Sequence, residues 1–527
     1  MEPRLKEYIL LAVWSLALFA SCYWLDTRHN RFPYYYHPDE RGKVEQIITS
    51  DWNFHHPMLL LTTTKIYVEL THVQKKEQPI VEAGRRVSAM LMGAAVVALS
   101  LLAFLWRGWA AAICAGFTLM LHHQLYELAH YMKEDSALLF GVACTFLAAL
   151  AYSQTPSWWR VLILGASAGL AISGKYIGIV VVAAAAPVVW IHSERARFSR
   201  LMLFLLAMIV VIVAVNLPLL LHPGAFEHSL NREMDLAIEG QRDVTRRVPH
   251  ALYWNVFIDN STPLLWLFLV SFLVVWWHRQ DSLSLAQKLI VAFPFGYALI
   301  LSFSPKENDR YFLPATALLT FIAALGTLDA PRLVQRVLLI AGLQHPERAM
   351  SGLWRWRAVA ISIAGLTALQ ITGWAVGKPG WLSYDAAFQH DDKADLIAWM
   401  QAKLPPDAVV AADSATGLAD PKRKKNSGRS QKISQTLLVS RLAADLGSID
   451  ELRAQGVTYV IVSESSYGRF FRADLRAKDS NDRKFSAARS FYEFLLREEP
   501  VFERERGTVI YLHPGIRVYS IADGRGA

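Results

Sequence analysis

Two pairs of adjacent carboxylates lie beside apolar segments of this chain. Asp39 and Glu40 follow the first apolar run, within the sequence Tyr-Tyr-Tyr-His-Pro-Asp-Glu-Arg at 34–41, and Glu134 and Asp135 directly precede a later run. A carboxylate next to a bilayer is costly unless it faces water, a cation or a substrate. This placement indicates chemistry at a membrane surface, where a lipid-linked substrate could meet an aqueous one.

Both pairs also fit a structural role. Pro38 suits the first turn of a helix, and acidic residues in that turn interact favourably with the helix dipole. Val44, Ile47 and Ile48 form an apolar stripe further along, so the predicted helix lies on the membrane surface. The residues alone leave the capping and the catalytic interpretations open, and they do not show whether the two pairs converge on one cavity.

Basic residues and histidines near these pairs could contact a phosphate. Arg41 and Lys43 follow the first pair, and Lys175 and Arg310 lie at the ends of other apolar runs. Their cations suit a phosphate, although such side chains also extend along a span to reach the interface. The His-His-Pro sequence at 55–57 is poor evidence for zinc, which needs further ligands at set spacings. These histidines fit either interfacial packing or a contact of one of them with a phosphate or an acceptor.

The composition is that of a membrane protein. The chain has 527 residues, of which 53% are hydrophobic and 19% are charged, and soluble domains are about 25% charged. The net charge of +9 is distributed between apolar runs, which favours basic cytoplasmic loops over binding of nucleic acid. Cys22, Cys114 and Cys144 have neither the spacing of metal ligands nor that of a disulfide framework.

Run length predicts about 11 membrane spans, since each run approaches the ~20 residues that cross a bilayer. The predicted spans are 8–25, 84–106, 109–124, 135–152, 161–173, 175–191, 201–221, 263–278, 287–303, 311–328 and 357–377. The first is followed by no small-residue cleavage site, so we expect it to be retained. With the N-terminus in the cytoplasm, every inner loop carries a basic residue and the C-terminus lies outside. The long outer loop at 26–83 is also basic, and long loops are less diagnostic.

Two further segments are distinguished by their patterns. Residues 331–343 are amphipathic and predict a helix on the inner membrane surface. From about 385 the pattern predicts an α/β domain, with a helix after 391, strands at 408–411 and 457–463, a helix at 485–497, and a closing strand pair at 508–512 and 518–521. The basic run at 422–425 fits a solvated loop, or a contact with anionic lipid or an acidic glycan.

The order of these motifs resembles the GT-C glycosyltransferases, specifically the glycosyltransferase family 39 branch of protein O-mannosyltransferases and bacterial aminoarabinose transferases. The shared features are His-Pro-Asp-Glu at 37–40, His-His-Pro at 55–57, the acidic pair at 134–135, Gly-Leu-Ala-Ile-Ser-Gly-Lys-Tyr at 169–176 and Asp-Arg-Tyr-Phe-Leu-Pro at 309–314. The resemblance implies a polytopic α-helical membrane protein. A GT-C catalytic domain would cover 1–380, with interfacial helices in the loop 26–83, and a small periplasmic α/β domain would cover 385–527.

The resemblance also implies an activity. Such enzymes pass a sugar from a polyprenyl-phosphate carrier to a lipid, glycan or protein acceptor on the periplasmic side of the bacterial inner membrane. Asp39 would act as general base or would position the acceptor, with Glu40 in support, and Glu134 and Asp135 would line the acceptor site or help to bind a cation. The residues that would hold the donor phosphate are Arg41, His56, Lys175, Arg310 and Tyr311. No cofactor is certain, and a divalent cation bound by Asp39 and Asp135 is one expectation.

One departure from the family concerns the sugar. Aminoarabinose transferases carry Lys-Pro where this chain has His56-Pro57, which argues against aminoarabinose as the substrate. The alternatives from other classes are a transporter or flippase of a polar lipid and a ligase or polymerase of surface glycans. Transporters often contain internal repeats and broken helices near the midplane. Here the polar residues lie at the outer ends of the predicted spans, which favours a transferase.

Overall fold

A computed structural model describes most of the chain. The described residues are 3–30, 32, 37–239, 244–246, 262–277, 283–303, 309–329, 331–332, 335, 352–375, 378–418, 433–473, 475–477 and 482–522. They form two compact units. The first comprises residues up to 31, 38–237 and 250–382, and the second comprises 32–37, 238–249 and 383–527.

The first unit is a bundle of apolar helices. Six are long and apolar enough to cross a membrane, namely Leu5–Thr27, Glu77–Arg107, Glu134–Gln154, Arg197–Val215, Leu285–Ser302 and Arg310–Thr327. Shorter apolar helices are Trp109–Met120, Trp158–Gly174, Tyr176–His192, Pro263–Trp277 and Trp356–Thr372. Every predicted span coincides with one of these helices, so the chain is a multi-pass membrane protein.

Further, mostly short helices connect these apolar helices. The shorter helices of this unit are Pro38–Thr49, Leu59–Leu70, His123–Ala129, Leu217–Leu221 and Pro223–Glu239. The helix Pro38–Thr49 begins at the predicted proline, with Asp39 and Glu40 in its first turn. Its buried face includes Val44 and Ile47, which belong to the apolar stripe seen in the sequence.

Glycines allow two of the long helices to pack closely. A Cβ at Gly141 would lie 2.2 Å from the backbone nitrogen of Ala171, and a Cβ at Gly174 would lie 2.6 Å from the backbone nitrogen of Leu138. Because neither position has room for a side chain, the helices Glu134–Gln154 and Trp158–Gly174 approach backbone to backbone. Lys175 follows Gly174 directly, so this packing brings its side chain to the start of the helix Glu134–Gln154.

The second unit contains the predicted α/β domain. Its five-stranded sheet has the spatial order Thr436–Ser440, Val409–Asp413, Tyr459–Ser463, Pro514–Ser520 and Phe502–Arg506. The first three strands are parallel and the last two pair antiparallel to their neighbours. Leu396 and Met400 of the helix Asp392–Lys403 pack on one face, whereas Phe491 and Tyr492 of the helix Asp482–Leu495 pack in a separate cluster.

The closing strand pair was predicted with one wrong member. The partner of Pro514–Ser520 is Phe502–Arg506, and residues 508–512 form the connection between these two strands. Val509 and Leu512 are buried in that connection, which explains an apolar pattern without a strand. The true partner, Phe-Glu-Arg-Glu-Arg, is a charged edge strand with four exposed residues, so its sequence lacks the apolar signal. The strand Thr436–Ser440 was not predicted.

Two predicted features lie outside the described residues. They are the basic run at 422–425 and most of the amphipathic segment at 331–343.

Candidate active site

The two acidic pairs of the sequence meet at one end of the helical bundle. Asp39 forms an ion pair with Lys133, the residue that immediately precedes Glu134 and Asp135. The Nη2 atom of Arg310 lies 3.8 Å from Oδ2 of Asp39, and its Nε atom lies 3.9 Å from Oδ2 of Asp135. The start of the helix Pro38–Thr49 is therefore linked to the starts of two apolar helices by charged side chains.

Glu134 is buried among basic side chains. The Nζ atom of Lys43 donates to Oε2 of Glu134 over 3.0 Å and lies 2.9 Å from Oε1. Lys133 Nζ is 3.8 Å and His56 Nε2 is 3.9 Å from Oε2 of the same carboxylate. A buried carboxylate requires such compensation, since an unpaired charge would carry its full desolvation cost.

Asp135 is compensated by a different pair of cations. Lys175 donates to its Oδ1 atom over 2.7 Å, and the ammonium of Lys175 also lies 4.2 Å from the centre of the Tyr311 ring. The Tyr297 hydroxyl donates to the backbone carbonyl of Tyr311 over 3.1 Å. Tyr311 therefore serves as a fixed aromatic surface for Lys175, with the ammonium held between a ring face and a carboxylate.

Glu40 has a distinct environment from its neighbour Asp39. It accepts two hydrogen bonds from Arg85, over 3.0 Å from Nε and 2.8 Å from Nη2, and a third from the backbone nitrogen of Met132 over 2.9 Å. Both side chains of the pair are fully buried. The pair joins the helix Pro38–Thr49 to the helix Glu77–Arg107 and to the loop that carries Lys133. The Glu40–Arg85 pair is therefore a structural clamp, and the buried side chain of Glu40 is not accessible to an acceptor.

Arg41 and His56, the remaining predicted phosphate ligands, differ in their surroundings. Arg41 is half-buried on the helix Pro38–Thr49, and no described residue forms an ion pair with it. His56 lies beside Glu134, as its 3.9 Å contact shows. Burial lowers the pKa of His56 to about 4 against the opposing effect of Glu134, so its imidazole is neutral at neutral pH. A neutral His56 can donate a hydrogen bond to a phosphate but adds no charge.

The cluster carries an excess of positive charge. Four cations, Lys43, Lys133, Lys175 and Arg310, contact three carboxylates, Asp39, Glu134 and Asp135. The cluster therefore carries one net positive charge when every group is ionised. Burial, together with the charge of Lys43, lowers the pKa of Lys133 to about 7, so the excess charge is sensitive to pH near neutrality.

Exposure separates Asp39 from the other carboxylates. The Asp39 side chain is 45% exposed, whereas those of Glu40, Glu134 and Asp135 are 0%, 2% and 1% exposed. Asp39 is thus the one carboxylate of these two pairs that an incoming molecule can reach without displacing protein.

Lys133 and Arg85 were not predicted as site residues. Each had a signal in the sequence. Lys133 immediately precedes the second acidic pair, and Arg85 is an ionisable residue at the start of an apolar run, where charge is retained only with a partner. The sequence did not show which cation pairs with which carboxylate, because the partners are far apart along the chain. The pairs Arg85–Glu40, Lys43–Glu134 and Lys133–Asp39 join residues 45, 91 and 94 positions apart.

Metal binding by Asp39 and Asp135 was one expectation from the resemblance. In the structure these two carboxylates contact Lys133, Lys175 and Arg310. No cofactor is established for the protein. Among the described residues, a group with the composition of a cation site is His390, Asp392 and Asp395 in the second unit, whose ligand atoms lie within 4.8 Å of one another.

Comparison with known proteins gives a family match to part of the chain and a shared fold. Residues 9–229 match the family described as dolichyl-phosphate-mannose-protein mannosyltransferase, and these residues include Asp39, Lys133 and Lys175. No curated protein sequence matches the chain. ArnT from Cupriavidus metallidurans bound to undecaprenyl phosphate is 15% identical, with a TM-score of 0.52 over 99% of each chain. AglB, an archaeal oligosaccharyltransferase from Archaeoglobus fulgidus in complex with an inhibitory peptide and a dolichol-phosphate, is 10% identical, with a TM-score of 0.48 over 87% of this chain and 70% of that one.

The likeness to ArnT over the full length establishes a shared fold, a bundle of membrane helices followed by a C-terminal α/β domain. The family match covers residues 9–229, less than half of the chain, and shows a similarity of that segment to protein mannosyltransferases.

Proposed function

We propose that this protein transfers a sugar from a polyprenyl-phosphate carrier to a hydroxyl of an acceptor, with Asp39 as the general base. The proposed reaction takes place on the periplasmic side of a bacterial inner membrane. The acceptor is a lipid, a glycan or a protein, and membrane lipids surround the helical unit.

The observation that carries this proposal is the exposure of Asp39 beside a buried, positively charged cluster. A general base must come within hydrogen-bond reach of the proton that it removes. Asp39 meets that requirement with a side chain that is 45% exposed, while Glu134 and Asp135 are buried and paired with cations. Of the two acidic pairs, Asp39 is thus the carboxylate suited to contact an acceptor.

The cations next to Asp39 suit the donor phosphate. The guanidinium of Arg310 lies 3.8 Å from the Asp39 carboxylate and 3.9 Å from the Asp135 carboxylate, which are long distances for an ion pair. A phosphate that enters between these groups can form shorter, charge-assisted hydrogen bonds with the guanidinium. The net positive charge of the cluster is consistent with an anionic ligand, since a phosphate would bring it closer to neutrality.

The proposed reaction balances with the residues in place. The acceptor hydroxyl oxygen attacks the anomeric carbon of the sugar while the bond between that carbon and the phosphate oxygen breaks. The hydroxyl proton passes to Asp39, and the electron pair of the broken bond leaves on the polyprenyl phosphate. Lys175 and Arg310 stabilise that developing charge, and such stabilisation lowers the barrier because it is greatest in the transition state.

The charged clamp of Glu40 and Arg85 has a positioning role in this scheme. It fixes the helix that carries Asp39 against the loop that carries Lys133, through hydrogen bonds of 2.8 to 3.0 Å. We therefore assign Glu40 to support of Asp39 rather than to proton transfer. Arg41 lacks an ion pair with any described residue and stays a second candidate for contact with the carrier phosphate.

The location of the cluster supports an outward-facing site. The cluster includes the starts of the helices Glu134–Gln154 and Arg310–Thr327 and the residue after Trp158–Gly174. In the proposed orientation, these three helix ends lie on the side opposite to the short basic loops. A periplasmic acceptor could approach Asp39 from that side.

The experiment uses the full chain purified in detergent and a panel of polyprenyl-phosphate sugars, with release of polyprenyl phosphate as the readout. We expect release from one class of donor, and a loss of about 10²–10⁴-fold in Asp39→Asn, which is the usual contribution of a general base. Asp51→Asn is the matched control, because Asp51 is exposed and lies just after the same helix. Release in Asp39→Asn equal to that of the wild type would refute Asp39 as the base.

A further inference from the structure

A second cluster of chemically reactive side chains lies in the α/β domain. His390 precedes the helix Asp392–Lys403, and Asp392 and Asp395 lie in its first turn. His390 Nε2 is 2.9 Å from Oδ2 of Asp395 and 3.7 Å from Oδ1 of Asp392. This cluster is separate in sequence from the proposed transfer site, and it contains no lysine.

The spacing of these atoms matches the coordination shell of zinc. Zinc binds histidine nitrogen and carboxylate oxygen at about 2.0–2.2 Å, which places neighbouring ligands of a tetrahedron about 3.4 Å apart. The two measured separations from His390, 2.9 and 3.7 Å, lie on either side of that value. The ligand atoms of the three side chains lie within 4.8 Å of one another, so the group already converges on one point.

Asp392 is held in orientation by a further histidine. His513 Nδ1 lies 3.0 Å from Oδ2 of Asp392, and its Nε2 atom is 2.8 Å from the carbonyl oxygen of Ala387. Both ring nitrogens face oxygen atoms, so His513 fixes the orientation of the carboxylate. Its bond uses Oδ2 of Asp392 and leaves Oδ1 directed at His390. Carboxylate ligands of metals are commonly held by such outer hydrogen bonds.

We propose that His390, Asp392 and Asp395 bind a divalent cation of the zinc type, with water at the fourth position. One neutral imidazole and two carboxylates balance the charge of the ion. The ligand set joins the chain before the helix Asp392–Lys403 to the first turn of that helix, and His513 connects it to the sheet. The site stabilises the α/β domain in this way and takes no part in sugar transfer.

Binding of the cation breaks two existing contacts of Asp395. The Nε2 atom of His390, which donates to Oδ2 of Asp395 over 2.9 Å, must give up that hydrogen bond and bind the cation through its lone pair. Arg504, whose Nε atom lies 2.9 Å from the same Oδ2 atom of Asp395, must also withdraw. The Arg504 side chain is 47% exposed and can turn towards solvent. Arg504 therefore competes with the cation, which provides a distinguishing test.

The test is titration of the chelator-stripped full chain with Zn²⁺ and, separately, Mg²⁺, against a competing zinc dye. We expect one Zn²⁺ per chain that raises the melting temperature, with much weaker binding of Mg²⁺. His390→Ala and Asp395→Asn should each weaken Zn²⁺ binding at least tenfold, and Arg504→Gln should tighten it because the competing cation is gone. His228→Ala is the control, since His228 is exposed on the helix Pro223–Glu239 of the other unit.

Three results would overturn the proposal. Absence of zinc binding in the wild type would make the cluster an ion-pair network only. Equal zinc binding in the wild type and in both ligand variants would place the ion elsewhere in the chain. Weaker zinc binding in Arg504→Gln would show that the arginine supports the cluster instead of competing with the cation.

Discussion

Buried carboxylates are compensated in two different ways at two places in this protein, one in each unit. In the membrane unit, Glu134 and Asp135 contact the side-chain cations of Lys43, Lys175 and Arg310. In the α/β unit, Asp413 accepts from the backbone nitrogens of Ala443 over 2.6 Å and Ser463 over 2.8 Å, and from the Tyr492 hydroxyl over 2.8 Å. Cationic partners can exchange a carboxylate for another anion, whereas backbone amides are fixed by the fold.

This difference in hydrogen-bond partners distinguishes a cluster suited to ligand binding from a carboxylate with a structural role. Burial raises the pKa of Asp413 to about 6 in spite of its three donors, so its neutral partners only partly replace the lost water. The Asp413 carboxylate ties the ends of two parallel strands to the helix Asp482–Leu495. The cation-rich cluster of the membrane unit instead surrounds a half-exposed carboxylate, Asp39, and carries net positive charge. Such a cluster suits reversible occupation by a phosphate.

The largest effect should follow from breaking the buried clamp. Arg85→Met leaves Glu40 buried without its partner, and removal of one member of a buried ion pair typically costs about 3–5 kcal/mol. We expect a lower melting temperature of the purified protein and poor recovery from the membrane. The double variant Arg85→Met with Glu40→Leu should recover most of that stability, because no uncompensated charge remains. A stable single variant would show that the clamp does not hold the helix Pro38–Thr49.

Arg310→Gln should affect activity more than folding. Arg310 is the cation that reaches both Asp39 and Asp135, and it would stabilise the charge on the leaving phosphate. We expect kcat/KM for the donor to fall about 10²-fold, in the range that loss of one group stabilising developing charge produces. Steady-state kinetics with Arg86→Gln as control checks this, since Arg86 is 39% exposed on the helix Glu77–Arg107. Unchanged donor kinetics would remove Arg310 from the phosphate site.

Asp413→Asn should destabilise the α/β unit without reaching the proposed base. An amide cannot accept all three hydrogen bonds, and each unsatisfied buried group costs about 1–3 kcal/mol. Limited proteolysis and hydrogen exchange should show faster opening of the sheet around the strand Val409–Asp413. Asp450→Asn is the matched control, because the Asp450 side chain is 91% exposed. Equal protection in both variants would contradict a structural role for Asp413.

The smallest predicted effect is a pH dependence that originates at Lys133. Its pKa is lowered to about 7, mainly by burial, so the cluster loses its excess positive charge as pH rises through that value. We expect kcat/KM for the anionic donor to fall over this range, since kcat/KM reports ionisations of the free enzyme. A bound phosphate favours the charged lysine, so the inflection in kcat should lie at higher pH. Lys133→Arg keeps its charge and should abolish the inflection; an unchanged profile would assign it to another group.

The sequence predicted the helices better than it predicted the contacts between them. Spans follow from the length of apolar runs, a local property, and the eleven predicted spans each correspond to a helix. The strand Phe502–Arg506 was missed because an exposed edge strand has no apolar face, and residues 508–512 were misassigned because buried turns can be apolar. Local patterns cannot distinguish these cases from true strands.

The sequence indicated which residues belong to the candidate cluster around Asp39, but it did not indicate which of them form ion pairs with one another. The acidic pairs and the outer cations Lys175 and Arg310 were identified by their placement at the ends of apolar runs. Sequence could not show that Glu40 faces Arg85 while the adjacent Asp39 faces Lys133. That division depends on which side of one helical turn faces the neighbouring helix, and it determines which of two adjacent acids is accessible.

The most direct test of the account compares donor binding with turnover in Asp39→Asn. A base acts on the acceptor proton, so the account predicts that kcat falls about 10²–10⁴-fold, while the dissociation constant for the identified polyprenyl-phosphate donor changes less than about threefold. Arg310→Gln, measured in parallel, should weaken donor binding as well as turnover. Wild-type turnover in Asp39→Asn, or a loss of turnover fully explained by lost donor binding, would contradict the assignment of Asp39 as the general base.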